Sequence, residues 1–109
     1  MRDLWIGGAV RTAIGDLNGQ FAGVSAVELG RVAVEASLKR AGVDPAEVGE
    51  VILGNVLQAG QGQNPARQVA MGCGVPQAVP SFTVNQVCGS GLKAIDLARQ
   101  AILLGEAEV

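Results

Sequence analysis

The sequence has no histidine, no tyrosine and only three aromatic residues, Trp5, Phe21 and Phe82. So few aromatic side chains argue against a surface that stacks nucleotide bases. Charge is also sparse, with a formal net charge of -2 and no cluster of Lys and Arg. The sequence therefore predicts neither nucleic acid nor a membrane surface as a partner.

Metal-binding and membrane-spanning patterns are missing as well. The two cysteines, Cys73 and Cys88, stand fifteen positions apart with no CxxC pair and no histidine, which argues against a zinc site, so no metal ligand is assigned. No apolar run approaches the ~20 residues of a spanning helix. The N-terminal residues carry no apolar signal core, and we expect a cytoplasmic protein without a structural disulfide.

The 109 residues suffice for one small domain, and about half of them are apolar. Apolar runs predict strands over residues 4–10, 51–57 and 82–87. Helical periodicity predicts helices over residues 26–41, 66–72 and from residue 88 or 89 to 104. This βαβαβα alternation predicts an α/β fold whose mixed, mostly parallel sheet lies between helices.

Local signals define the helix ends. Ser25 and Glu28 form a capping-box pattern at the start of the first helix, and Gly42 follows its last turn. Residues 44–47 repeat the start signal but leave room for a single turn only. Gly105 is expected to end the last helix.

Cys88 follows a predicted strand and opens a predicted helix. Backbone N–H groups and the positive end of the helix dipole at such a position favour thiolate over thiol and can hold a developing oxyanion. Gly89 and Gly91 would let a bulky acyl thioester approach the backbone. From position alone, a small buried apolar residue is the more common interpretation of such a cysteine, and a catalytic Cys88 is the alternative. For Cys73, at the end of a short helix without an activating neighbour, a small buried apolar residue is the preferred interpretation.

Residues 85–94 (NQVCGSGLKA) strongly resemble the acyl-enzyme signature of the thiolase family, the acetyl-CoA acetyltransferases and 3-ketoacyl-CoA thiolases. Further segments follow the family pattern in order, so that the resemblance covers essentially the whole chain. They are residues 10–15 (VRTAIG), 41–48 (AGVDPAEV), 54–60 (GNVLQAG), 64–67 (NPAR) and 101–105 (AILLG).

The resemblance implies a thiolase-like fold and acyl transfer to and from CoA. Cys88 would be the nucleophile that carries the acyl group as a thioester, and its backbone N–H would serve an oxyanion hole. Asn85, Gly89 and Gly91 would support it. Acyl-CoA and CoA would be the substrates, with no separate cofactor. The reaction would join two acetyl-CoA into acetoacetyl-CoA or cleave a 3-ketoacyl-CoA, in a homodimer or homotetramer.

The same resemblance also marks what this sequence does not contain. Thiolases use a histidine that activates the nucleophile and a second cysteine that acts as acid and base, both in their C-terminal half. We therefore interpret residues 1–109 as an N-terminal thiolase domain, truncated before its remaining strands, the CoA-binding loop domain and the C-terminal domain. The chain alone is predicted to be poorly folded and inactive.

Three other interpretations are compatible with parts of the pattern. A ketoacyl synthase or another superfamily member also places a cysteine after a strand, although the residues around it differ from Asn85-x-x-Cys88-Gly89-Ser90-Gly91. A non-catalytic, sterol-carrier-type relative would have no use for an intact cysteine motif. Residues 60–65 give only half of a dinucleotide-binding glycine pattern, which makes such a module the weakest alternative.

Overall fold

The fold was examined in a computed structural model, which describes residues 2–109. Its elements in chain order are α1 (Ala26–Ala41), a 3-10 turn (Pro45–Glu47), β1 (Val51–Gly54), α2 (Pro65–Gly72), β2 (Ser81–Val84) and α3 (Ser90–Leu104). β1 and β2 pair in parallel, with Val51 opposite Ser81 and Gly54 opposite Val84. Since α2 connects the two strands, they form a βαβ unit, and the predicted α/β class is confirmed.

The predicted ends of α1 are confirmed in detail. The Ser25 hydroxyl accepts the Glu28 N–H at 3.0 Å, and the Glu28 carboxylate accepts the Ser25 N–H at 2.9 Å. These bonds favour the ionised carboxylate and lower the pKa of Glu28. Gly42 ends the helix in a left-handed conformation with φ 68°. Local sequence signals are therefore sufficient to position this helix.

The core is centred on α2, whose residues Ala66, Val69 and Ala70 are almost completely buried. α2 packs against α1 and against both strands, whereas α3 packs mainly on β1. Leu53 of β1 packs against the buried cluster around Ala70, while its neighbour Gly54 faces the start of α3. Because successive strand residues point to opposite faces, different helices cover the two faces of the sheet, as predicted.

The predicted strand over residues 4–10 is wrong. These residues have no regular structure, and the sheet within residues 2–109 contains two strands. Gly8 has φ +67°, which breaks the extended backbone, and it lies so close to α1 that an added Cβ would be 2.5 Å from the Ser37 carbonyl oxygen. The segment therefore runs across α1 and leaves the Trp5 side chain 90% exposed.

The other two strands exist but are shorter than predicted. β1 ends at Gly54 instead of residue 57, and β2 ends at Val84 instead of residue 87. α3 begins at Ser90, not at Cys88 or Gly89. Residues 85–89 thus form a separate turn between strand and helix. Of the helices in the described part of the chain, none has the length and apolar character that a membrane span requires.

Candidate active site

The turn between β2 and α3 is closed by side chains at both of its ends. The Asn85 carboxamide donates to the Val56 carbonyl at 3.1 Å and accepts the Val87 N–H at 2.9 Å. The Ser90 hydroxyl accepts the Gln86 N–H at 2.8 Å and donates to the Val87 carbonyl at 2.6 Å. A backbone bond from Gly89 N–H to the Gln86 carbonyl, 3.0 Å long, completes the turn.

Val87 has φ +49°, a left-handed backbone conformation. This conformation is unfavourable for a residue with a Cβ, by about 1–2 kcal/mol, and is least expected for a β-branched residue. A left-handed residue does not continue an extended strand, so the strand could not reach residue 87 as predicted; β2 already ends at Val84. Such a conformation persists where surrounding bonds hold it in place, which the Asn85 and Ser90 side chains do here.

Cys88 is the next residue, and its thiol is free and exposed. A shallow depression lined by Gln86, Gly89, Leu92, Lys93 and Asp96 lies beside it. None of the hydrogen bonds among residues 2–109 is donated by the Cys88 N–H. An exposed sulfur next to an available N–H can attack a carbonyl carbon while the N–H faces the oxygen that becomes charged.

Gly89 and Gly91 flank this position without side chains. An added Cβ at Gly91 would meet no atom within 4 Å, and at Gly89 it would meet only the Gln86 carbonyl oxygen, at 3.4 Å. The backbone at the start of α3 is therefore open to a ligand. Gly89 occupies the N-cap position and supplies no side-chain hydrogen bond to the helix.

Cys73 lies in a different environment. It follows α2, is 8% exposed, and its thiol donates to the Arg31 carbonyl oxygen over 3.6 Å. Burial, and secondarily the charge of Glu35, raise the pKa of the Cys73 thiol. This agrees with the prediction that Cys73 is a packing residue.

Two residues that contact the turn were not singled out from the sequence. Ser90 was quoted only as part of the motif, yet its buried hydroxyl bonds to two residues of the turn. Gly54, at the end of β1, lies against the start of α3, where an added Cβ would be 2.7 Å from the Ser90 carbonyl carbon. A glycine ending a strand in a βαβ pattern is the available signal for the close approach at Gly54.

Metal-ligand geometry was also considered. Among the described residues, no group of three or more His, Cys, Asp and Glu side chains is arranged to hold a metal ion. The chemistry that these residues can supply is that of a thiol and backbone donors.

This arrangement defines an α/β protein with an exposed cysteine on a strand-to-helix turn. The sequence pattern of the family described as "Thiolase, N-terminal domain" matches residues 4–109. The chain therefore belongs to the thiolase family.

Similar proteins agree with that assignment. The chain is 55% identical over its full length to an acetyl-CoA acetyltransferase of Cupriavidus necator, of which it covers 28%. It is 59% identical over 93% of its length to a "Probable acetyl-CoA acyltransferase" of Staphylococcus epidermidis, of which it covers 26%. The chain thus spans about a quarter of the length of these relatives.

A solved structure gives the same result for the fold. The crystal structure of the Acat5 thiolase from Ascaris suum in complex with coenzyme A superposes with a TM-score of 0.88 at 40% sequence identity, covering 90% of this chain and 26% of that one. The predicted thiolase-like fold is confirmed.

Proposed function

We propose that this chain supplies the acyl-accepting cysteine of a CoA-dependent acyltransferase. The observation that carries the proposal is the exposed Cys88 thiol on a hydrogen-bonded turn at the start of α3, in a chain of the thiolase family. The names of the relatives, acetyl-CoA acetyltransferase and acyltransferase, support acyl-CoA and CoA as substrates. The coenzyme A bound to the Ascaris suum thiolase supports the same choice.

In the proposed reaction the Cys88 sulfur attacks the carbonyl carbon of an acyl-CoA. The thioester bond to CoA breaks, CoA leaves as a thiol, and the acyl group remains on Cys88. The Cys88 N–H, which donates no other hydrogen bond, would face the oxyanion of the tetrahedral intermediate. In the synthetic direction the acyl group then passes to the carbon nucleophile that a second acetyl-CoA becomes on losing a proton. In the cleavage direction the Cys88 sulfur instead attacks the 3-keto carbon of a 3-ketoacyl-CoA, the bond between carbons 2 and 3 breaks, acetyl-CoA leaves with the proton, and the acyl group passes from Cys88 to the thiol of CoA.

Other groups are needed for turnover. The sequence has no histidine, and Cys73 is buried at the end of α2, so neither a histidine base nor a second reactive cysteine is available within residues 2–109. We therefore propose turnover only for a longer protein that adds a histidine base and a second reactive cysteine to this chain. The chain by itself is predicted to give no thiolase turnover.

A chimera tests this proposal. Residues 1–109 replace the matching quarter of the Cupriavidus necator acetyltransferase, and cleavage of acetoacetyl-CoA by CoA is measured. We expect turnover, and a loss of about 10⁴-fold or more in the C88S variant, because removal of the nucleophile removes the covalent route. The C73S variant is the matched control and is expected to retain activity.

The alternatives predict other results. A well-folded chimera without turnover would contradict the thiolase proposal and favour a non-catalytic, sterol-carrier-type protein. Acyl transfer to a carrier-bound acyl group but not to CoA would favour the ketoacyl-synthase alternative. S-acylation at Cys73 instead of Cys88, detected by peptide mapping, would contradict the assigned nucleophile.

The proposed assembly and location are separate predictions. Within residues 2–109, β2 pairs only with β1, so its other edge is open, and Leu92 at the start of α3 is 75% exposed. Both features support an assembly in which the intact protein is at least a dimer, paired through the strand before Cys88. Sedimentation of the intact protein at micromolar concentration tests this, and a monomer would contradict it. The cytoplasmic location stays a prediction.

A further inference from the structure

Ser90 is the buried polar residue of the described chain, with 4% of its surface exposed. Its hydroxyl both accepts and donates, bonding to the Gln86 N–H at 2.8 Å and the Val87 carbonyl at 2.6 Å. The Ser90 backbone N–H donates to the same Val87 carbonyl at 3.1 Å. Two bonds from one residue therefore fix the direction of the carbonyl that precedes Cys88.

That carbonyl belongs to the same peptide group as the Cys88 N–H. In a planar trans peptide the C=O and N–H bonds point in opposite directions. Because Ser90 draws the Val87 carbonyl toward the start of α3, the Cys88 N–H is directed away from it. This is the N–H that donates no other hydrogen bond within residues 2–109.

Ser90 also opposes the strain at Val87. A valine with φ +49° tends to return to an extended or right-handed conformation, which would rotate the peptide group between Val87 and Cys88. The Ser90 hydroxyl resists this rotation because it bonds both to the Gln86 N–H and to the carbonyl oxygen of Val87. Gly54 packs closely against Ser90, because a Cβ added to Gly54 would lie 2.9 Å from the Ser90 Cβ.

We infer that Ser90 is a positioning residue that holds the Val87–Cys88 peptide group so that the Cys88 N–H faces the oxyanion formed when Cys88 is acylated. This inference rests on the proposed function and adds a residue to it. Ser90 does not contact the acyl group; it acts through the backbone.

Two electrophiles separate this role from a general effect on the thiol. p-Nitrophenyl acetate acylates Cys88 through a tetrahedral oxyanion, as its aryl ester bond breaks, p-nitrophenolate leaves and the thiol proton goes to solvent. Iodoacetamide alkylates the same sulfur by displacing iodide, with no oxyanion. In the chimera described under the proposed function, S90A is expected to slow acylation of Cys88 about tenfold and to change alkylation less than about twofold, because only acylation uses the N–H.

A matched control and a rescue sharpen the test. The Ser81 hydroxyl is buried and makes no hydrogen bond in the described residues, so S81A removes a comparable group and should leave both rates unchanged. Glycine adopts φ +49° without strain, so in a V87G background the loss caused by S90A should shrink to about threefold or less. Equal losses in both backgrounds would overturn the inference.

The chimera without the S90A substitution provides a readout that does not depend on a variant folding. Its ratio of acylation to alkylation at Cys88 should exceed that of N-acetylcysteine about tenfold. A ratio equal to that of N-acetylcysteine, or equal slowing of both reactions by S90A while Cys73 stays protected, would overturn the role of Ser90. If the chimera is active but S90A slows both reactions equally, the proposed function stands and only the role of Ser90 is contradicted. If the chimera is inactive but Cys88 is still acylated selectively, only the proposed function is contradicted.

Discussion

Cys73 follows α2 and Cys88 precedes α3, and the two cysteines differ in burial, in backbone conformation and in hydrogen bonding. Cys73 continues the end of α2, is 8% exposed, and points its thiol at the Arg31 carbonyl of α1. Cys88 is exposed on a turn that contains a left-handed valine and is closed by the side chains of Asn85 and Ser90.

Cys73 therefore stabilises the fold by packing, whereas the fold holds the Cys88 thiol at the surface, where it can react. Around Cys73 the chain follows its local preferences, and burial disfavours the thiolate. Around Cys88 it adopts a costly backbone conformation and buries a serine hydroxyl to hold it. Strain that is held in place by specific bonds next to a nucleophilic atom is typical of functional sites.

The largest expected effect is on the reaction of Cys73 and Cys88 in the chimera that tests the proposed function, and the predictions below are made for the same protein. Iodoacetamide should label Cys88 about 10³-fold faster than Cys73, because Cys73 reacts only after the structure around it opens. Peptide mapping after timed labelling measures both rates, and the rates should converge in 6 M guanidinium chloride. Faster labelling of Cys73 in folded material would reverse the comparison.

Gly54 offers the next largest effect. In G54A the added methyl would lie 2.7 Å from the Ser90 carbonyl carbon, which is backbone that yields only if α3 shifts. We expect a loss of about 2 kcal/mol or more in the free energy of unfolding, measured by urea denaturation. The matched control is G91A, where an added Cβ meets no atom within 4 Å and which should be neutral or stabilising by up to about 1 kcal/mol.

The pH dependence distinguishes the two cysteines further. Because burial raises the pKa of Cys73, the folded chain keeps that proton more tightly than the unfolded chain does. The resulting stability is present below the thiol's ordinary pKa of about 8.5 and is lost as the pH rises through the folded value. Urea midpoints between pH 7 and 10 should therefore fall more steeply in the wild type than in C73A. Identical slopes would show that Cys73 is not the group responsible.

The smallest expected effect comes from the cap of α1. S25A removes the hydroxyl that accepts the Glu28 N–H and should cost about 1 kcal/mol of helix stability. Because α1 supplies the Arg31 carbonyl that contacts Cys73, labelling of Cys73 should accelerate about fivefold, whereas labelling of Cys88 should not change. Equal acceleration at both cysteines would mean that the two regions open as one unit.

The predictions that held depend on short-range chemistry. A hydroxyl and a carboxylate three residues apart form the predicted capping box at Ser25 and Glu28. Gly42 and Gly105 end α1 and α3 as expected. The class of the fold and the position of Cys88 between a strand and a helix could also be predicted, since the alternation of strands and helices is visible in the sequence, whereas the exposure of Cys88 is a finding of the structure.

The predictions that failed depend on neighbours distant in the chain. Residues 4–10 have the apolar composition of a strand, but the structure runs them across α1 without a strand partner. The strand was predicted to reach residue 87, but β2 ends at Val84, and the side chains of Asn85 and Ser90 bond to a left-handed Val87, which the apolar pattern does not indicate.

The sequence by itself determined the ends of α1, the last residue of α3 and the position of Cys88 between a strand and a helix, because each depends on residues within a few positions of one another. Only the tertiary structure decided that Gly54 abuts the start of α3 and that Val87 is held left-handed. It also decided that the Ser90 hydroxyl is buried where it fixes the peptide group before Cys88. These features arise where the end of β1 meets the turn that follows β2 and the start of α3. Backbone contacts between segments so far apart in the chain produce no periodic pattern of apolar residues, so the sequence does not reveal them.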